Sequence, residues 1–120
     1  MPNRSLDELI SAVKGSPNIS SAGMLLCHNG FVRSTSRIEG KPVAELEVQV
    51  DHEKVAEIRE WALGLPGVVA VEIEPFEGKF KVGDDLLYIV VAGDIRENVF
   101  EAMRSTIERV KAEAVSKKEY

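Results

Sequence analysis

Apolar residues recur at helical spacing in three stretches of the chain, and each stretch predicts an amphipathic helix. Ser5 and Glu8 in "SLDE" fit a capping box at the start of the first helix. Asp51 fits the N-cap of the second helix. Asp94 and Glu97 fit a second capping box at the start of the third. The predicted apolar stripes are Leu6, Leu9, Ile10 and Val13; Val55, Ile58, Ala62 and Leu65; and Phe100, Met103, Ile107, Val110 and Ala114.

Five other stretches have the composition or the alternation of β-strands. Apolar and polar residues alternate in "VAELEVQV", which predicts a strand with one buried face. "DLLYIVVAG" is almost continuously apolar, which predicts a central strand. The other candidates are "AGMLLCHNGFVR", in which Gly30 marks a bulge or a close backbone approach, "VVAVEIEPF" and "EGKFKVGD". The stretch "STSRIEGKP" is polar and rich in turn residues.

The order helix, two strands, helix, three strands, helix predicts an α+β fold with a mainly antiparallel sheet packed with helices. A chain of 120 residues is long enough for one core and too short for two, so residues 1–120 are expected to form a single domain.

The net charge and the hydropathy of the chain exclude some classes of partner and indicate where the protein is located. The chain carries 15 Lys and Arg against 20 Asp and Glu, a net charge of −5, which disfavours nucleic acid and anionic membranes as partners. The longest apolar run, Leu86–Ala92, is far shorter than the roughly 20 residues of a membrane span. The chain has one cysteine and no secretory signal pattern, so we expect a cytoplasmic protein without an intramolecular disulfide.

Motifs of familiar catalytic sites are absent from the sequence. It contains no P-loop, GxGxxG, CxxC or HExxH, and His28 and His52 lack neighbours at metal-ligand spacing, so we expect no metal and no cofactor. Cys27 lies in an apolar stretch, which predicts a buried, unreactive thiol. Because side chains alternate along a strand, His28 would then point away from the core, toward the space beside Gly30.

Three lysines near residue 120, Lys111, Lys117 and Lys118, have two interpretations. Cations near a helix C-terminus gain about 0.3 to 1 kcal/mol from the helix dipole, which alone would explain a solvated helix end. Alternatively, the lysines hold an anionic substrate and take part in its conversion. The rest of the fold decides between the two.

The order of the stretches resembles the large, catalytic subunit of molybdopterin synthase, the MoaE family. The resemblance runs from about Gly23 to Glu119 and is carried by "GMLLCHNGFVR", the alternating strand, the next helix, "EGKFKVGDDLLYIVVAG", "DIRENVFEAMRSTIERVK" and "SKKE". It implies an α/β-hammerhead-like fold and a homodimer, which would also cover an edge or face of the apolar "LLYIVV".

The same resemblance implies the reaction and the partner. A small ubiquitin-like (MoaD-like) sulfur-carrier subunit would bring sulfur as a thiocarboxylate on its Gly-Gly tail and complete a heterotetramer. The sulfur would pass to a pterin phosphate substrate, cyclic pyranopterin monophosphate, to give the dithiolene of molybdopterin. Such chemistry requires cations for the phosphate and for an oxyanion, together with a group that moves protons.

The resemblance also implies roles for single residues. Arg33 matches the arginine after the glycine loop and Arg96 the arginine that opens the last helix, and both would bind the substrate phosphate. Lys111 and Lys118 match two pocket lysines, with Lys118 as general acid/base or transient acyl acceptor and Lys111 as its electrostatic partner. Lys117 or Ser116 would then take the place of a family tryptophan beside the substrate, although a one-residue gap would exchange the roles of Lys117 and Lys118.

Three departures from the family pattern define a second hypothesis. "AVSKKE" stands where the family usually has "PIWKKE", Ile95 replaces a phosphate-binding histidine, and His28, a candidate substrate-binding residue, replaces an aromatic residue of the glycine strand. A non-catalytic module of the same fold, which binds a ubiquitin-like or other acidic protein, is the alternative to the enzyme.

Overall fold

The computed structural model of the protein describes residues 3–35 and 42–120; residues 36–41 of the turn-rich stretch lie outside this description. Its helices are α1 (Leu6–Lys14), α2 (His52–Leu63) and α3 (Arg96–Arg109). Its strands are β1 (Met24–Phe31), β2 (Glu45–Val50), β3 (Val68–Pro75), β4 (Gly78–Lys81), β5 (Asp85–Gly93) and β6 (Val115–Glu119). A short 3₁₀ turn (Ile19–Ser21) follows α1, and a π-helical turn (Val110–Ala114) continues α3.

The six strands form two antiparallel sheets of three strands each. The first has the order β1-β5-β3 and the second the order β4-β2-β6. The predicted α+β class, with antiparallel strands packed against helices, is confirmed, and the strands divide between two sheets. The pairing of β1 with β5 shifts register between Gly30 and Phe31, which confirms the irregularity predicted at Gly30.

β5 is the central strand of the first sheet, and both of its faces are buried. Ile89 and Val91 belong to the main core, which also includes residues of α2, α3 and the second sheet. Val90 and Ala92 belong to a smaller core beneath Leu9 of α1. Because β1 and β3 pair with β5 on either side, the apolar "LLYIVV" has no open edge or face for a second copy to cover. The part of the homodimer prediction that relied on such an edge or face is therefore wrong.

The first two helices begin as the sequence predicts. The Ser5 hydroxyl accepts a hydrogen bond from the Glu8 amide at 3.1 Å, and the Glu8 carboxylate accepts one from the Ser5 amide at 3.0 Å. These two bonds form the predicted capping box of α1. Asp51 caps α2 by accepting from the Lys54 amide at 3.1 Å.

α3 begins differently. Ile95 occupies its N-cap without a side-chain hydrogen bond, so the capping box predicted there is wrong. Asp94 accepts instead from the Ile95 amide at 2.6 Å and from the Asn98 side chain at 2.9 Å. Those bonds, above all the one from Asn98, lower the pKa of Asp94. A Cβ atom at Gly67 would lie 2.1 Å from the Asp94 carboxylate, and Gly67 has a φ of +73°, so this crossing of two loops requires glycine.

The predicted apolar stripe of α3 is confirmed except at its first position. Met103, Val110 and Ala114 are buried in the main core, and Ile107 packs against it. Phe100 is 53% exposed, whereas its neighbour Val99 is fully buried, so the buried face of α3 begins at Val99 and Phe100 lies outside it.

The chain leaves the helix before it reaches the last lysines. After the π turn it extends as β6, which pairs antiparallel with the free edge of β2. Lys and Glu residues favour helix by intrinsic propensity, but pairing with β2 supplies ladder hydrogen bonds that outweigh that preference. The expectation that Lys117 and Lys118 end a helix is therefore wrong.

Candidate functional site

A cavity of about 540 Å³ opens where the two sheets meet the end of α3. The irregular end of β1 and the start of β5 form one wall, β2 and β6 form another, and the π turn closes the side. Its lining residues are Phe31, Val32, Arg33, Thr35, Val43, Leu46, Leu86, Lys111, Lys117 and Glu119.

Side chains alternate between the two faces of β6, and this alternation determines which lysine faces the cavity. Lys117 lies opposite Val48 in the ladder with β2, and Val48 is 2% exposed on the core side of the second sheet. Lys118 lies opposite Glu47 and therefore points to the other face. Its ammonium group lies 5.5 Å from the centre of the Tyr120 ring. The structure thus places Lys117 in the cavity and Lys118 outside it.

Three of the predicted cations line the same cavity. Arg33 follows β1, Lys111 lies in the π turn and Lys117 in β6, so residues far apart in the sequence meet at one place. Glu119, which the sequence reasoning missed, is the one carboxylate among the described residues that line the cavity. Its position two residues after Lys117 would have indicated it once this stretch was recognised as a strand.

These cations are accessible to a ligand. Arg33, Lys111 and Lys117 are all exposed in a single chain. A guanidinium group and two ammonium groups around one cavity favour an anionic ligand, because charged hydrogen bonds to phosphate or carboxylate are stronger than neutral ones.

A smaller pocket of about 60 Å³ adjoins the cavity, and four residues line both. Its own lining includes His28 and Gly30. A Cβ atom at Gly30 would lie 3.0 Å from Nε2 of His28, so the glycine leaves room for the imidazole ring. Burial lowers the pKa of His28, and the positive charges of Lys111 and Lys117 lower it further.

Cys27 lies on the opposite face of β1 from His28, and its side chain is exposed. The prediction of a buried thiol is therefore wrong, because β1 is an edge strand and α1 does not extend over this part of it. The prediction that His28 points away from the core is also wrong, because its register partner Ile89 belongs to the main core. Its side chain lines the smaller pocket beside Gly30, on the core-facing side of β1.

Arg96 does not join the other cations within one chain. It follows the C-terminal end of β5, whereas the cavity lies at the N-terminal end of that strand, beside Leu86. The two ends of β5 lie roughly 25 Å apart at about 3.3 Å per residue. The Arg96 guanidinium is 75% exposed and lies 3.5 Å from the Glu97 carboxylate.

The described residues contain neither a group of side chains suited to a metal ion nor a helix suited to cross a membrane. Among residues 3–35 and 42–120, no three His, Cys, Asp or Glu side chains gather in a group that could hold a metal ion. No helix within these ranges has the length and apolar character needed to cross a membrane.

The fold and the site together define a class of protein. The protein is an α+β domain with two antiparallel sheets, and the cationic cavity at their junction is suited to an anionic ligand.

The chain matches the model of the MoaE protein family over residues 3–113. It therefore belongs to the MoaE family. A comparison with curated proteins gave no match.

Solved structures share this fold. A molybdopterin biosynthesis MoaE protein from Burkholderia ambifaria MC40-6 has a TM-score of 0.77 at 22% identity, over 99% of this chain and 78% of that one. Molybdopterin cofactor biosynthesis protein E from Burkholderia multivorans ATCC 17616 has a TM-score of 0.76 at 24% identity, over 98% and 82%. A complex of subunits 1 and 2 of molybdopterin-converting factor from Helicobacter pylori 26695 has a TM-score of 0.70 at 20% identity, over 98% and 79%.

Proposed function

We propose that the protein acts in molybdenum cofactor biosynthesis as the large, catalytic subunit of a cytoplasmic molybdopterin synthase. It would transfer sulfur from a thiocarboxylated small subunit to cyclic pyranopterin monophosphate. The observation that carries this proposal is the meeting of Arg33, Lys111 and Lys117 at one cavity in a chain of the MoaE family.

The proposal gives Lys117 the role that the sequence had suggested for Lys118. Lys117 lines the cavity together with Arg33 and Lys111, whereas Lys118 lies on the other face of β6. In this role Lys117 acts as general acid/base or transient acyl acceptor, and Lys111 stabilises the oxyanion that forms at the acyl carbon. A one-residue gap relative to the family pattern accounts for the exchange.

Arg33 is proposed to hold the substrate phosphate. Its planar guanidinium can donate two parallel hydrogen bonds to phosphate oxygens, and it lies at the rim of the cavity. Arg96 is left out of this phosphate site because it follows the far end of β5 in the same chain.

The proposed assembly contains a MoaD-like, ubiquitin-like small subunit and a homodimer of this chain. The Helicobacter pylori neighbour, solved as a complex of two subunits, supports the first contact. Ile95 and Phe100, two large apolar side chains that are 54% and 53% exposed, are consistent with a further protein contact near the start of α3.

Reconstitution tests the proposed function. The purified protein is mixed with thiocarboxylated small subunit and cyclic pyranopterin monophosphate, and the product is oxidised to a fluorescent pterin and quantified. We expect product from the wild-type protein and a loss of about 10²-fold or more in Lys111→Ala, because an oxyanion-stabilising group contributes that much.

The matched control for that experiment is Lys14→Ala, which removes an exposed lysine at the end of α1. It should react at the wild-type rate. A wild-type protein that binds the small subunit yet yields no product would contradict the enzyme and favour the non-catalytic module.

A further inference from the structure

His28 is the polar group of the smaller pocket that the proposed roles of the cations leave unused. Its Nε2 atom is buried and has no hydrogen-bond partner among the described residues. Leaving a buried polar atom without a partner is unfavourable, so such an atom in a native fold calls for an explanation. A ligand or water molecule in the adjoining pocket would supply the missing partner.

The size and lining of the smaller pocket suit water. Its volume is about 60 Å³, and a buried water requires at least about 10 to 15 Å³ together with two to four polar partners. His28, Lys111 and Lys117 supply polar groups from three different elements. The pocket is too small for a pterin ring but opens on the cavity where the substrate is proposed to bind.

The surroundings of His28 favour the neutral imidazole. The ionisable groups that line the pocket with it are Lys111 from the π turn and Lys117 from β6; β2 and β5 contribute only apolar side chains. Both charges disfavour a third cation, and none of the described residues that line this pocket is a carboxylate. A neutral imidazole has one ring nitrogen free to accept a proton, as a general base must.

The proposed reaction requires that a group remove a proton. A thiocarboxylate that gives up its sulfur ends as a carboxylate, so an oxygen atom must replace sulfur on the acyl carbon. Water is the simplest source of that oxygen, and its attack is faster when a base removes its proton.

We propose that His28 binds and activates this water molecule. The inference rests on the proposed function. The step starts from the thioester in which the thiocarboxylate sulfur already joins the acyl carbon to the pterin. The water oxygen bonds to this acyl carbon while its proton passes to Nε2 of His28, and the ammonium group of Lys111 stabilises the oxyanion. The bond between the acyl carbon and sulfur then breaks with its electron pair on the sulfur atom, which stays on the pterin and takes a proton from Lys117 as general acid. The imidazolium of His28 returns its proton to the Lys117 amine, so the step consumes no oxidant or reductant.

The test compares His28→Phe and His28→Gln with the wild-type protein in the reconstituted reaction. Phe keeps an aromatic ring over Gly30, and Gln keeps a polar side chain that cannot act as a base. Both variants should release the small subunit about 10² to 10⁴ times more slowly, the usual contribution of general base catalysis. Their dissociation constants for the small subunit should stay within about twofold of the wild-type value.

Two readouts separate a base from a merely structural residue. Intact-mass spectrometry should show the acyl-linked adduct of small subunit and pterin accumulating in both variants. In water enriched in oxygen-18, the small subunit released by the wild-type protein should carry one heavy oxygen atom in its new carboxylate. His52→Gln is the matched control, since His52 is exposed and lies near Glu77 on another surface, and it should behave as the wild type does.

The outcomes separate the two claims. A wild-type protein that transfers no sulfur would refute the proposed function, and the role of His28 would fall with it. Wild-type transfer with undiminished release in both His28 variants, or with no heavy oxygen in the carboxylate, would refute only the role of His28. If the His28 variants release the small subunit slowly but accumulate no adduct, the defect lies at an earlier step. That result would also refute the role of His28.

Discussion

The two sheets of this protein differ in how much of each is buried. The buried first sheet contributes mainly to stability, whereas the partly exposed second sheet carries a residue of the proposed site. The central strand of the first sheet is covered on both faces, since Ile89 packs into the main core and Val90 into the core beneath α1. The second sheet buries Val48 on one face and exposes Gln49 on the other. Charged side chains can lie at the edge of the second sheet, where its buried face meets the cavity. Lys117 occupies such a position.

The burial of both faces of β5 explains why its sequence predicts a central strand. A strand buried on both faces must be apolar almost throughout, and "DLLYIVVAG" has that composition. β6 has the opposite character, because the side chains of Ser116 to Glu119 are all exposed. Its sequence therefore resembles a helix end more than a strand.

The largest expected effect on stability follows from the two buried faces of β5. Ile89→Ala should lower the free energy of unfolding by about 2 to 5 kcal/mol, through lost burial and the cavity left behind. Val90→Ala, on the other face, should cost about 2 kcal/mol. Urea denaturation followed by circular dichroism measures both.

The second sheet supplies the contrast for that experiment. Gln49→Ala alters a solvent-exposed side chain of β2 and should change stability by no more than about 0.5 kcal/mol. A cost at Gln49 as large as that at Val90 would show that another surface covers the outer face of the second sheet.

A smaller effect is expected from pH at Tyr88 of β5. The Tyr88 hydroxyl donates a hydrogen bond to the Asp85 carboxylate, which raises the pKa of Tyr88 to about 12. Because this pKa is higher in the folded protein than the ordinary value near 10, the contribution is complete below about pH 10. It is lost as the pH rises toward 12, since the unfolded chain releases the proton first.

Tyr88→Phe should therefore lose less stability than the wild type between pH 9 and pH 11.5, measured by urea denaturation. Tyr120→Phe is the control, because Tyr120 is 53% exposed and makes no such bond among the described residues. Parallel losses in all three proteins would refute the Asp85 hydrogen bond as the cause.

The sequence predicted the family and most of the fold because both depend on apolar spacing and on short local motifs. It predicted that Arg33 and Lys111 belong to one site, and the structure brings them to one cavity. It could not choose between Lys117 and Lys118, because neighbouring residues of a strand face opposite sides and the register with β2 is a tertiary property. The resemblance assigns Arg96 to the site, whereas within one chain the length of β5 separates it from the cavity.

We propose that the face of β6 on which a lysine lies determines whether that lysine takes part in sulfur transfer. The measurement is the rate of dithiolene formation by Lys117→Ala and Lys118→Ala in the reconstituted reaction, with equal small-subunit binding verified for both. Lys117→Ala should be slower than the wild type by about 10² to 10⁴-fold, and Lys118→Ala should remain within about twofold of it. A loss confined to Lys118→Ala, or none in either variant, would contradict the account.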